Sequence, residues 1–529
     1  MKKSIIFSLV TLLASTSCTE RFLEYNTNPA QASEEQMGYE DYISKGTLVT
    51  MQTWISANED HRFQFQEVLS TGTLNGYFAI VNGKFTNNFA IYNPADDWSR
   101  DPFVNILPEV YGAHLQLRNS TKDPIPLAVA NIIEVAVFAK VADTYGPIPY
   151  SKMGKDGSLT APYDALDKLY YEFVDTLDNS INTLNELQNS RLNQTADVAF
   201  GGDLVKWVKY ANTLKLRLGI RMAYCDPTKA QKVAEEAANH SIGTLSSVAD
   251  MPMYYQPVRN RYHKLLLEWA DYRVAADIVC YMNGYKDPRR AKYFQLKGES
   301  GADCDLNGNI TCDGYVGWRR GVKPDDNAFG AGLTNIKVAS DAPISWVCAA
   351  EPAFLKAEGA LRGWNMGGKS AKQWYEEGVK LSFEQWGVSG ADEYLKDATS
   401  LPESYTDVTG KGYDATFNCN VSPAWNDNAD FEANFERIIT QKWIANWRIE
   451  GVEGWTEFRR SGYPRLLPPA VNLSGGCIPE GGFARRQYYP IDEANSNKEN
   501  YQQALTMLGG PDNMGTRLWW DCNPNNPTK

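Results

Sequence analysis

Apolar residues recur at helical spacing through most of the chain. In residues 127–144, LAVANIIEVAVFAKVADT, nearly every position is apolar, the pattern of a helix buried on all sides. Residues 163–188 and 203–224 place apolar positions three and four apart and predict two long amphipathic helices. Asp226-Pro227 opens another over 228–240, with Pro in the first turn, where its missing N–H does no harm. The same reading predicts helices over 34–57, 268–282, 349–362 and 369–386. Residues 437–466 are the most distinctive stretch. Ile438, Ile439, Trp443, Ile444 and Trp447 form one stripe, Glu450-Gly451 breaks it, and Trp455 and Phe458 begin a second short helix. Ser461-Gly462 and Pro464 end that helix. The expectation is a helical hairpin with a Trp-rich core.

Three stretches lack this period. In 58–118 only 67–77 reads as helix; Gly72, Gly76, Gly83, Asn82, Asn87 and Asn88 make the rest loop-rich. Tyr77, Phe78, Phe85, Phe89, Tyr92 and Trp98 are scattered through it. Residues 291–345, rich in Gly, Asp and Asn, read as a long irregular insertion, and loops of that length are usually functional or disordered. Residues 389–430 are also loop-rich. Helices paired across short breakers make the chain mainly α.

The N-terminus adds an export signal. Lys2-Lys3 precede a short apolar run over 5–14, and Ser15-Thr16-Ser17 stand before Cys18. This is the order of a lipoprotein signal. Residues 1–17 are expected to be removed, Cys18 to be lipidated, and 18–33 to form a tether ahead of a single domain over 34–529. Net charge is −12, from 52 basic and 64 acidic residues, which disfavours a nucleic-acid partner. Aromatic residues make up 12% of the chain; flat apolar rings with polar handles suit a core and also carbohydrate or peptide recognition. Nine cysteines less Cys18 leave an even number, which permits disulfides in an exported chain. Cys304 and Cys312 are near enough to close a small loop. No C-x-x-C pair supports a zinc site.

Candidate chemistry is sparse. Gly363–Ser370 matches the phosphate-cradling pattern G-x-x-x-x-G-K-[ST], but helix, not strand, is expected before it. It reads as an inter-helix loop with Lys369 and Ser370 at a helix start. Asp303, Asp305, Asn307, Asn309 and Asp313 place oxygens at alternating positions around Gly308, as in a calcium loop. The closing position is Gly314 rather than Glu, and a Cys304–Cys312 bridge is the metal-free alternative. Calcium is the one cofactor candidate, and a structural one. The four histidines form no H-E-x-x-H, and there is no G-x-S-x-G elbow. The chain reads as non-enzymatic, with a glycosidase carboxylate pair as the remaining catalytic option.

The wording of several phrases is more informative than their period. "I-x-x-Q-K-W-I-A" with "G-x-E-x-W-x-E-F-R-R-S-G-Y-P" in 437–466, "D-x-Y-G-x-I-P-Y" at 143–150, "K-W-x-K-x-A-N-x-L-K-L-R-L" in 203–224, "D-P-R-R" at 287–290, "A-E-P-A-F-L-K-A-E-G-A-L-R-G" at 350–363 and "N-T-N-P" near the start resemble the SusD/RagB family of nutrient-binding lipoproteins. The resemblance runs from Cys18 to Asp521. It implies a scaffold of tetratricopeptide-like helical repeats whose loop-rich insertions carry the binding face. It also implies an outer-membrane location facing the cell exterior, and a partner in a SusC-like TonB-dependent barrel for which the protein acts as a lid. The ligand would be a glycan or, as the alternative, an oligopeptide. By region, the ligand face falls on 77–98 and 315–320. Tyr77, Tyr92, Trp98 and Trp318 would then offer stacking faces, and Asn82, Arg319 and Arg320 hydrogen bonds.

Overall fold

A computed structural model describes residues 42–155, 160–295, 314–323 and 333–528. The expected signal peptide, Cys18, the tether, the Asp303–Asp313 loop and its two cysteines lie outside the described residues.

Helices dominate, and their starts are written locally. We label the long ones α1 (Tyr42–Thr53), α2 (Leu107–Ser120), α3 (Pro124–Tyr145), α4 (Leu166–Glu186), α5 (Leu204–Arg221), α6 (Pro227–Ala238), α7 (Ala276–Gly284), α8 (Glu351–Leu361), α9 (Ala371–Gln385), α10 (Phe431–Ala445), α11 (Gly451–Ser461) and α12 (Lys498–Leu508). Asp123, Asp203, Asp226, Ser370 and Asp430 each stand one residue before a helix. Their side-chain oxygens accept from its first backbone N–H groups, satisfying donors that have no partner within the helix. Successive helices from α1 to α6 pack against one another, α8 packs against α5, α9 and α10, and α11 returns to α3. This is the stacked helix–turn–helix scaffold expected from the sequence. Helix α3 is long and apolar enough to cross a bilayer, yet 72% of its most apolar window is buried, so it serves as a core helix.

The 437–466 hairpin forms as expected and locks the scaffold through charge. Lys442 of α10 lies 2.7 Å from Glu453 and 3.3 Å from Glu457 of α11. Arg217 of α5 reaches Glu351 of α8 at 2.7 Å and Glu450 at 3.0 Å, and Arg460 pairs with Glu358 at 2.6 Å. All of these side chains are buried. The phrase "G-x-E-x-W-x-E-F-R-R" therefore encodes an internal ion network that fixes helix register, because a buried charge without its partner is strongly unfavourable.

Four expectations need correction. Residues 268–282 are not one helix: Ala270 takes a left-handed backbone (φ +60°), and Tyr272–Val274 form a strand antiparallel to Phe78–Ile80. An aromatic and a β-branched residue flanking Arg273 suit a pleated surface better than a helix interior. Helices α2 and α12 were not expected, since Gly112 and the polar residues of both obscure their period. The described parts of 291–345 are tied down: Phe294–Gln295 pairs with Asn335–Ile336, and Trp318 is bridged to Ala275. The six described cysteines form no disulfide; the neighbouring Cys522, with burial, pushes the Cys225 thiol pKa up.

A cleft and an aromatic strip form the candidate functional site

The regional expectation and the individual residues part ways. Tyr77 is buried, its ring stacked 5.5 Å from Trp443 and its hydroxyl donating to the Trp443 carbonyl. Tyr92 is buried and donates to the Gly482 carbonyl at 3.2 Å. Trp318 is fully buried, its Nε1 donating to the Val322 carbonyl at 3.2 Å. None of these three rings offers a face to solvent. They are core because each has a backbone carbonyl or a neighbouring ring to occupy, which sequence spacing does not reveal. Arg320 is also buried. Its guanidinium binds Asp277 at 3.0 Å and donates to the Thr73, Leu74 and Leu467 carbonyls. Arg319 is half-buried and donates to the Tyr413 carbonyl at 2.6 Å; burial lowers its pKa below the ordinary value. Both arginines hold loops together.

The first predicted region borders a cleft whose other walls are 321–323, just beyond the second predicted region, and 471–473. Residues 80–91, 321–323 and 471–473 enclose a cleft of about 340 Å³, lined by Ile80, Asn82, Phe85, Thr86, Asn88, Ala90, Ile91, Val322, Lys323, Val471 and Leu473 with the adjoining glycines. Backbone bonds sew the segments together: Ala470 N–H to the Arg320 carbonyl at 2.9 Å and Leu473 N–H to the Ile91 carbonyl at 2.8 Å. Gly321 has φ +81°, and a Cβ there would meet Ala470 N at 3.0 Å and Ala90 O at 3.1 Å. Only glycine lets the segments approach so closely. Asn82 keeps its place on the cleft wall, donating to Asp271 at 2.8 Å and accepting from Lys84 N–H at 2.9 Å. No carboxylate is found among the described lining residues.

From Phe85 a strip of part-exposed rings leads away from the cleft. Phe85 meets Trp98 edge-on at 5.1 Å, Trp98 stacks on Phe65 at 6.2 Å, Phe65 on His61 at 6.3 Å, and His61 lies 5.3 Å from Trp269. All five are half-buried or exposed, so of the predicted stacking residues Trp98 alone keeps an accessible surface. Phe65 and Trp269 sit on widened π-helical turns, Gln64–Thr71 and His263–Trp269, a local geometry common at functional sites. The sequence reading missed Phe65, His61 and Trp269. The signal available was an excess of aromatics near two loop-rich stretches, without the pairing that brings 61–98 beside 263–269.

Of the two motif matches, only Gly363–Ser370 falls on described residues; the Asp303–Asp313 loop lies outside them. Gly363–Ser370 follows α8 and precedes α9, with Ser370 and Gln373 forming a reciprocal cap. Lys369 pairs with Glu377 and lies 4.3 Å from the Trp374 ring. It is an inter-helix loop, as expected. Among the described residues no group of three or more His, Cys, Asp or Glu is arranged to hold a metal.

A family model described as Susd and RagB outer membrane lipoprotein matches residues 24–521. Among solved structures, a SusD homologue from Bacteroides uniformis is 41% identical, with a TM-score of 0.84 over 91% of this chain and 100% of that one. A second, from Bacteroides ovatus, is 37% identical, with a TM-score of 0.86 over 92% and 100%. A third, described as a chitin-binding SusD homologue from Flavobacterium johnsoniae, is 33% identical, with a TM-score of 0.84 over 91% and 99%. No curated protein matches the sequence. With the buried ion network, the stacked helix pairs and this agreement over nearly the whole length, the chain belongs to the SusD-like family of outer-membrane lipoproteins.

Proposed function

We propose that this protein is a lipid-anchored, cell-surface receptor that captures oligosaccharides and acts as the lid of a SusC-like TonB-dependent transporter. The observation that carries the glycan reading is the run of accessible rings from Phe85 through Trp98 and Phe65 to Trp269, beside a cleft with no carboxylate among its described lining residues. Flat rings stack on the apolar faces of sugars, whereas hydrolysis of a glycosidic bond calls for a pair of carboxyl groups. The chitin-binding relative supports the same ligand class. Lipidation at Cys18 would hold the receptor at the membrane, and the barrel would supply the energy for import.

The test is to extract the protein from its native membrane with its partner attached and identify both the co-purifying barrel and the bound small molecules by mass spectrometry. Oligosaccharides recovered intact, with a TonB-dependent barrel, are expected. A mixture of short peptides would replace the glycan reading with oligopeptide capture, and turnover of any bound glycan by the purified chain would overturn the non-enzymatic one.

A further inference from the structure

Among its described lining residues the cleft has one buried side-chain polar atom without a hydrogen-bond partner. Asn88 is 7% exposed and lines the cleft. Its Nδ2 donates to the Phe85 carbonyl at 2.7 Å, which fixes which end of the amide is oxygen. Its Oδ1 has no hydrogen-bond partner. Asn88 precedes the short 3-10 turn Phe89–Ile91, where an Asn oxygen ordinarily accepts from the turn's own N–H; here it does not. A buried acceptor kept from its local partner is an unfavourable arrangement unless something else donates to it.

The surroundings restrict that donor. The described lining is apolar at Ile80, Phe85, Ile91, Val322 and Leu473, with Asn82, Thr86 and Lys323 as its other polar side chains, and Leu473 stays 53% exposed on the rim. A sugar edge bearing only hydroxyls would lose hydration against these walls and recover one hydrogen bond. An N-acyl substituent presents one N–H and then an apolar methyl, which matches one acceptor in an apolar cleft. Lys323, exposed on the same rim, offers a donor for the acyl carbonyl. We infer that the cleft selects N-acylated amino sugars, with Asn88 Oδ1 accepting the amide N–H and the acyl methyl packed against Val322 and Leu473. This rests on the glycan-capture reading and sharpens it.

The experiment uses detergent-solubilised full-length protein. Calorimetry compares N-acetylglucosamine oligomers, the same oligomers de-N-acetylated, and glucose oligomers of the same linkage; saturation-transfer NMR adds free N-acetylglucosamine and N-acetylgalactosamine. The acetylated oligomers are expected to bind about tenfold or more tighter than either counterpart, with the strongest NMR enhancement on the acetyl methyl. Asn88→Leu should remove most of that preference. Because Asn88→Leu also loses the bond to Phe85, Leu473→Ser provides a second variant at an exposed position and should weaken the acetylated ligand selectively. Equal affinity for glucose oligomers, or a preference that survives both variants, would overturn the N-acyl assignment and leave glycan capture standing. Failure of every sugar alongside binding of short peptides would overturn both.

Discussion

Arg320 grips Asp277 with two nitrogens, Nε to Oδ2 at 3.0 Å and Nη2 to Oδ1 at 3.2 Å. The same carboxylate accepts the Leu467 N–H at 2.8 Å. The pair joins the start of α7, the segment that enters the cleft at Gly321, and the chain leaving α11. Arg320→Met strands a fully buried carboxylate and is expected to cost about 3–5 kcal/mol, read from urea unfolding. Glycan binding should weaken with it, because residues 321–323 lose their anchor. A loss of binding with unchanged stability would instead make Arg320 a ligand contact.

Trp98 and Trp318 were equal candidates by sequence and separate in the structure. Trp318→Ala empties a fully buried site and should destabilise by about 3–5 kcal/mol. Trp98→Ala removes a part-exposed ring and is expected to leave the melting temperature within a few degrees of wild type (a shift of roughly 1 kcal/mol or less). It should nevertheless weaken oligosaccharide binding about tenfold, the order expected for an aromatic contact at a binding surface. Affinity and melting measurements on both variants check the contrast.

The ion network predicts an acid limb. Burial alone would raise Glu457, but Arg460 and Lys442 outweigh it and hold its carboxyl down to about 2. Glu453 is likewise held down: burial is outweighed by Arg221 and Lys442. A depressed carboxylate contributes stability that is complete above its unfolded value of 4.5 and is lost as pH falls towards the folded value. Glu351 and Asp143 are raised, chiefly by burial, and oppose this in part. Melting temperature is expected to fall between pH 4.5 and about 2, and Glu457→Gln should flatten that fall while lowering stability at neutral pH. An identical acid limb in the variant would remove Glu457 from the account.

Membrane attachment is tested at Cys18. Cys18→Ser should leave the protein in the soluble fraction and abolish labelling by an alkyne fatty acid, since stable anchoring needs two or more acyl chains. Labelling that persists would place the lipid elsewhere.

Helix positions were legible because capping and periodicity are local: Asp203 before α5 and Ser370 before α9 each announce the helix that follows. The 437–466 hairpin and its family wording were equally readable, and with them the mainly α scaffold. The 268–282 error arose because the strand pairing of Tyr272–Val274 depends on Phe78–Ile80, nearly two hundred positions away. The binding face followed the same division. Sequence pointed to 77–98 and 315–320; residues of the first line the cleft, whereas the second stops one residue short of its 321–323 wall. It could not tell which side chains face outward, because Tyr77, Tyr92, Trp318 and Arg320 are turned inward by partners at Trp443, Gly482, Val322 and Asp277. Nor could it supply residues 471–473, Phe65 or Trp269. Local period fixed the mainly α class of fold, and the wording of its phrases carried the family resemblance; only long-range backbone pairing and burial decided which aromatic rings remain accessible and which amide is left with a free acceptor.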